Sequence, residues 1–198
     1  ATGSGSFNII GHNISIDTLD RLQSSTERFF LRESIATKQK YSLKTEAIQS
    51  GYISFGNEAL SKIHETNNTY EQVDLREIYA TIYPPSYSEN ILAPDYFQSV
   101  MSQYMEHLQP VEYALESILS EALQLKKGMS DDINLHTQST KSTGMMKASH
   151  YPAMPVEYDD ANANRLLAHS DWSSLTIIYS QEEGLEEMRD GRWVKVPM

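Results

Sequence analysis

The chain has 198 residues, 39% of them apolar, with no cysteine and a formal net charge of −11. That length supports one domain with a real core, and the acidic balance argues against a nucleic-acid groove or an anionic membrane surface as partner. Without a thiol the residues hold no disulfide, thiolate zinc site or iron–sulfur cluster, no apolar run approaches the length of a membrane span, and a cytoplasmic setting is expected.

Residues 1–6, Ala-Thr-Gly-Ser-Gly-Ser, read as a flexible linker or cloning remnant. Phe7–Ile10 reads as a short buried strand. Ser15 then suits a helix N-cap, and the helix from Ile16 to about Glu33 carries Leu19, Leu22, Phe29 and Phe30 on one side. A second strand is expected at Tyr52–Phe55, after Gly51, and the polar residues 64–71 read as loop. From Asp95 to Leu125 apolar residues recur at steps of three and four, including Phe97, Met101, Tyr104, Leu108, Val111, Leu115 and Ile118. Pro110 inside that run predicts a kink or a split, and Gly128 and Ser130 mark its end.

After about residue 143 the pattern changes. Met145–Tyr151, Arg165–Asp171, Leu175–Ser180, Leu185–Met188 and Arg192–Val196 read as short strands, punctuated by Pro152, Pro155, Gly184 and the pair Asp190-Gly191. Helices therefore come first and antiparallel strands afterwards, an α+β layout.

His169 and Asp171 are the chemically most informative residues. On an extended strand the spacing His-x-Asp places both side chains on one face. An imidazole nitrogen and a carboxylate oxygen then converge, as in two-thirds of the 2-His-1-carboxylate triad that holds non-haem Fe(II). The spacing alone suits equally a histidine hydrogen-bonded to a nearby carboxylate. No histidine follows His169, so the third ligand is expected beyond Met198. His150 alternates with Tyr151 and should face away from it. His12, His64 and His107 read as surface or capping residues, and His136 as a loop residue. Trp172, next to Asp171, either shields the site or fills core.

Seven segments in order resemble the isopenicillin N synthase-like branch of the 2-oxoglutarate and Fe(II)-dependent dioxygenases. Phe7-Asn-Ile-Ile-Gly-His-Asn-Ile-Ser15 is similar to the family's opening, with Asn13 where it has Gly. Glu27-Arg-Phe-Phe30 with Lys38-Gln-Lys-Tyr41 resembles its first helix and the basic stretch after it. Ser50-Gly-Tyr-Ile-Ser54 and Asp74-Leu-Arg-Glu-Ile78 look like its Arg-Gly-Tyr and Asp-x-x-Glu segments. Ser149-His-Tyr-Pro-Ala-Met-Pro155 resembles Asn-x-Tyr-Pro-Pro-x-Pro, with Ser149 for Asn and Ala153 for Pro. Leu166–Thr176 resembles the iron motif His-Thr-Asp followed by Leu-Thr, and Gly184-Leu185 with Asp190–Pro197 resembles the strands that come next.

The resemblance implies a double-stranded β-helix, or jelly roll, here incomplete and preceded by bracing helices. Residues 7–142 would be the helical region with short strands, and residues 143–198 the first part of the barrel. It implies His169 and Asp171 as iron ligands, with no catalytic residue beyond the metal ligands, and Tyr151 as a contact to the far carboxylate of 2-oxoglutarate, although a strand tyrosine also packs readily under a sheet. The implied activity is oxidation of a C–H bond of a small molecule by Fe(II), 2-oxoglutarate and O₂, with release of succinate and CO₂. The Arg-x-Ser pair that grips 2-oxoglutarate is expected beyond Met198. Two alternatives remain: a truncated or degenerate relative serving as a binding module, and an oxidase of the same fold that uses no 2-oxoglutarate.

Overall fold

A computed structural model of the chain describes residues 5–43, 50–57, 74–83, 93–125, 144–153, 165–171, 173 and 175–197. The expectations at residues 1–4, His64, Gly128, Ser130, His136, Pro155 and Trp172 lie outside them. The chain divides into two compact units: Ile14–Ser170, and a smaller one of Ala1–Asn13 with Asp171–Met198.

In the larger unit, helix α1 spans Ile16–Glu27, and its N-cap Ser15 accepts a hydrogen bond from the backbone N–H of Thr18 at 3.1 Å. The helix does not run on regularly to Glu33. It widens into a π-helical turn, Arg28–Arg32, closed by Glu33 N–H donating to the Arg28 carbonyl at 3.1 Å. A π-turn inserts one extra residue into the helical ladder, and here Phe29 and Phe30 are both buried. Helix α2 (Ile35–Gln39) follows, capped by Ser34, and carries a buried Lys38.

Strand β1 (Gly51–Ile53) pairs antiparallel with β2 (Glu77–Tyr83), which pairs antiparallel with β3 (Gly144–His150). Gly51 has φ +141°, and a Cβ there would lie 2.9 Å from the Leu43 backbone nitrogen. That close approach lets residues 41–43 bond along β1, with Tyr52 N–H donating to the Tyr41 carbonyl at 2.7 Å. The sequence pattern does not mark β2 as a strand, because polar Glu77 and Thr81 interrupt its apolar residues. Both are buried. Helix α3 spans Asp95–Ala122 without interruption. Pro110 does not split it, and α3 packs against α1. Its apolar stripe holds in the first half, where Phe97, Met101 and Tyr104 are buried. Further along, Glu116 is buried while Ile118 is exposed, and burial followed by the neighbouring charge of Glu112 pushes the Glu116 carboxyl up to about 7.

Phe29 is the hub of the core. Its ring stacks on Phe97 of α3 at 4.9 Å and meets Phe30, Tyr52 and Tyr79 edge-on at 5.1, 5.9 and 5.5 Å. It thereby joins the helices to one face of the sheet. Beside it lies a buried polar knot. Glu77 accepts hydrogen bonds from Lys38 Nζ at 2.8 Å and Tyr52 Oη at 2.5 Å on one oxygen, and from His150 Nδ1 at 2.8 Å on the other. Lys38 Nζ also donates to the Phe30 carbonyl at 3.1 Å, and the His150 ring stacks on Phe30. Burial alone would push the Glu77 carboxyl up. The three donors outweigh it and hold the group below its ordinary value of 4.5.

In the smaller unit, β4 (Glu186–Arg189) and β5 (Arg192–Lys195) form a hairpin. Asp190 (φ 50°) and Gly191 (φ 75°) make its two-residue turn, and such turns require positive φ at both positions. Asn13 also takes positive φ, at 57°. Among the described residues, Phe7–Ile10, Arg165–Asp171 and Leu175–Ser180 form no ladder, contrary to expectation, and Tyr151 falls just past the end of β3.

Phe29→Ala should cost about 3–5 kcal/mol in chemical denaturation, because it empties the hub of the core. Glu77→Gln should cost roughly 3–5 kcal/mol at neutral pH, because it leaves the Lys38 charge buried without its counterion. A carboxylate with a depressed folded-state pKa stabilises above its unfolded value and ceases to do so as pH falls through the folded one. The gap between wild type and Glu77→Gln should therefore close progressively below pH 4.5.

Candidate active site

The pairing of β2 with β3 sets the first part of the site. Glu77 sits opposite His150 in the register, so their side chains share a face of the sheet. Arg76 immediately precedes β2 and Tyr151 immediately follows β3, so the two meet just past the end of the ladder. Arg76 Nη1 donates to Tyr151 Oη at 3.2 Å, and the guanidinium carbon lies 6.0 Å from the centre of the tyrosine ring. The ring of Tyr151 is partly exposed, whereas Arg76 is buried. His150 is occupied by Glu77 and Phe30, whereas Tyr151 meets Arg76.

The second part is the segment leading to His169. Segments 74–76 and 165–167 are tied by backbone and side chain together. Leu75 N–H donates to the Arg165 carbonyl at 3.0 Å, and Asp74 Oδ1 accepts from Leu167 N–H at 3.2 Å. Arg165 Nη1 donates to the Tyr151 carbonyl at 3.1 Å. Asp74 is fully buried, and its other oxygen lies 3.8 Å from Arg76 Nη2. These bonds explain why no strand forms here. The amide of Leu167 is directed to a carboxylate instead of a neighbouring strand.

Within this segment His169 Nδ1 lies 2.7 Å from the Leu167 carbonyl oxygen. A carbonyl only accepts, so Nδ1 is the donor in this contact. A backbone carbonyl is a common partner for the remote N–H of a metal-binding histidine, whose other ring nitrogen takes the metal. His169 and Asp171 are both exposed. Asp171 belongs to the smaller unit, in which Ser173 Oγ and Thr176 Oγ1 lie 3.0 Å apart. Among the described residues no group of three or more His, Asp or Glu side chains could hold a metal. None of the helices among the described residues is long and apolar enough to cross a membrane.

Nothing in the sequence alone singles out Asp74, Arg76 or Arg165. The Asp74-Leu-Arg-Glu segment stands out as a motif, but nothing in its pattern says that Asp74 reaches residue 167 or that Arg76 meets residue 151. His107, expected at the surface or in a cap, is exposed and bonds Thr18 at the start of α1 at 3.2 Å.

Residues 1–99 match the family model described as non-haem dioxygenase in morphine synthesis N-terminal, which is half of the chain. The chain is 25% identical over 196 residues to feruloyl CoA ortho-hydroxylase 2 of Arabidopsis thaliana, covering 98% of this chain and 50% of that protein. It is 26% identical over 196 residues to a flavonol synthase/flavanone 3-hydroxylase of Matthiola incana, covering 97% and 61%. Among solved structures it resembles a full-length Neurospora crassa protein crystallised in complex with alpha-KG, with TM-score 0.72, 16% identity and coverage of 94% and 58%. A putative 2OG-Fe(II) oxygenase family protein of Caulobacter crescentus superposes with TM-score 0.62 at 23% identity, covering 92% and 57%. The chain thus spans about half to three-fifths of the length of these relatives. The fold is the jelly roll of these oxygenases, with helices packed beside its strands.

Asp74→Ala should speed hydrogen exchange at the Leu167 amide and cost roughly 3 kcal/mol of stability, because a buried carboxylate opposite a buried guanidinium is lost. Amide exchange measured residue by residue checks both parts.

Proposed function

Because the chain belongs to the non-haem, 2-oxoglutarate- and Fe(II)-dependent dioxygenase family, we propose that the protein oxidises a C–H bond of a small molecule, with His169 and Asp171 as two of the iron ligands and Tyr151 as a contact for 2-oxoglutarate. The observation that carries this reading is the 2.7 Å contact of His169 Nδ1 with the Leu167 carbonyl, which makes Nε2 the nitrogen that would face a metal.

The donor chemistry fits the group. Fe(II) takes imidazole nitrogen and carboxylate oxygen, and a cysteine-free chain offers no softer thiolate ligand. Bound there with 2-oxoglutarate, Fe(II) supplies the activation of O₂ that couples C–H oxidation to loss of CO₂ and formation of succinate.

The chain's own residues have simpler tasks. Asp74 holds the Leu167 amide, and the Leu167 carbonyl holds the imidazole, so the ligand arrives with its ring orientation already set. Asp171 brings the negative charge that a divalent ion needs. Tyr151 offers a hydroxyl to a carboxylate. The acidic balance of the chain supports a small-molecule substrate over nucleic acid, and a cysteine-free sequence suits a reducing, cytoplasmic setting.

Full-length protein given Fe(II) and 2-oxoglutarate without air should develop a visible metal-to-ligand charge-transfer band. His169→Ala and Asp171→Ala should each abolish it while the fold, followed by circular dichroism, persists. With substrate and air, succinate should appear in step with substrate loss. A folded wild type that shows neither the band nor substrate oxidation would make the protein a non-catalytic binding module. Substrate oxidation without succinate would make it an oxidase that needs no 2-oxo acid.

A further inference from the structure

The contact between Arg76 and Tyr151, just past the end of the β2–β3 ladder, has a chemical consequence. A guanidinium has five donors and no acceptor, so the Tyr151 oxygen can only accept from Arg76 Nη1 across their 3.2 Å contact. The phenolic hydrogen must then turn toward a different acceptor. Arg76 itself is not free to swing. Its side chain is 7% exposed, it lies immediately before β2, one residue ahead of Glu77 and its knot, and Asp74 is 3.8 Å away. Asp74 in turn bonds the amide of Leu167, two residues before His169. One buried acid–base pair therefore touches both the segment that carries His169 and the hydroxyl of Tyr151.

From this geometry we infer that Arg76 is a positioning residue: it commits the Tyr151 hydroxyl to donate to the far carboxylate of a dicarboxylic 2-oxo acid, and Asp74 holds it in register with the His169 segment. The inference rests on the assignment of Tyr151 to 2-oxoglutarate. It goes beyond it by naming the group that fixes the direction of the hydroxyl and adds a positive charge behind it. A hydrogen bond to an ionised carboxylate is among the stronger ones in proteins, so losing its orientation is readable as affinity.

The test is a pair of binding titrations on full-length, Fe(II)-loaded protein without air, followed by the charge-transfer band. One ligand is 2-oxoglutarate. The other is pyruvate, which keeps the chelating 2-oxo acid end and lacks the far carboxylate. Arg76→Gln should weaken 2-oxoglutarate about tenfold and leave pyruvate and Fe(II) binding unchanged. Arg76→Lys, which keeps the charge beside Asp74 but not the planar fork, should weaken 2-oxoglutarate selectively as well, and carries the test where the Gln variant fails to fold. Equal weakening of both 2-oxo acids, or of neither, overturns the inference, since general damage to the site does not distinguish them. Tyr151→Phe separates the two levels of argument. If it leaves 2-oxoglutarate binding unchanged, the assignment of Tyr151 itself fails. If it weakens 2-oxoglutarate and the Arg76 variants do not, only the role of Arg76 fails. Independently of any variant, an anaerobic crystal structure of the wild type with Fe(II) and 2-oxoglutarate should place the Tyr151 oxygen between Arg76 and the far carboxylate, and a carboxylate bound elsewhere overturns the inference.

Discussion

A carboxylate buried among hydrocarbon must be neutralised, and the larger unit is organised around the one at Glu77. Its three donors come from three places: Lys38 from α2, Tyr52 from β1 and His150 from β3. Removing any one leaves a charge or a polar group without its partner in a dry site, which is costly in a way that a lost apolar contact is not. The knot thus does more than add stability. It admits one register of β3 on β2, because a slip by one residue would turn His150 away and present Ser149 to the acid. Phe29 and its aromatic neighbours supply bulk burial against the same face, but aromatic rings tolerate several packings and specify register less sharply.

The register in turn sets where the chemistry lies along the sheet. One face carries Tyr52, Glu77, Tyr79 and His150 and is closed by helices. Just past the end of the ladder Arg76 meets Tyr151, and residues 165–167 are bonded to the stretch leading into β2. Asp74 and Arg76 are separated from Glu77 by only a few residues, so the same short stretch holds the structural knot and supports the candidate site. A substitution that loosens the knot should therefore be felt at Tyr151 without touching it.

The segment that carries His169 shows how a motif and a secondary-structure expectation separate. Alternation on a strand was the reason for expecting His169 and Asp171 on one face, yet residues 165–171 join no ladder. Their backbone groups are taken by Asp74, Leu75 and the His169 ring instead. The imidazole is still oriented, because its Nδ1 bonds the carbonyl two residues back.

Much of the architecture is legible in the residues alone. Ser15 before an apolar-periodic run announces α1, the three- and four-residue spacing from Phe97 to Tyr104 announces α3, and Asp190-Gly191 between short strands announces the hairpin. Each of these signals is local, and local geometry settles it. Seven motifs in order name the family, and they point to His169, Asp171 and Tyr151. The rest depends on partners far apart in the chain. That β2 is a strand despite Glu77 and Thr81, that Glu77 meets Lys38 and His150, that Asp74 reaches Leu167, and that Arg76 faces Tyr151 are pairings across 39 to 93 residues. No periodicity encodes them. Buried charge and hydrogen-bond satisfaction choose them only once the chain has folded.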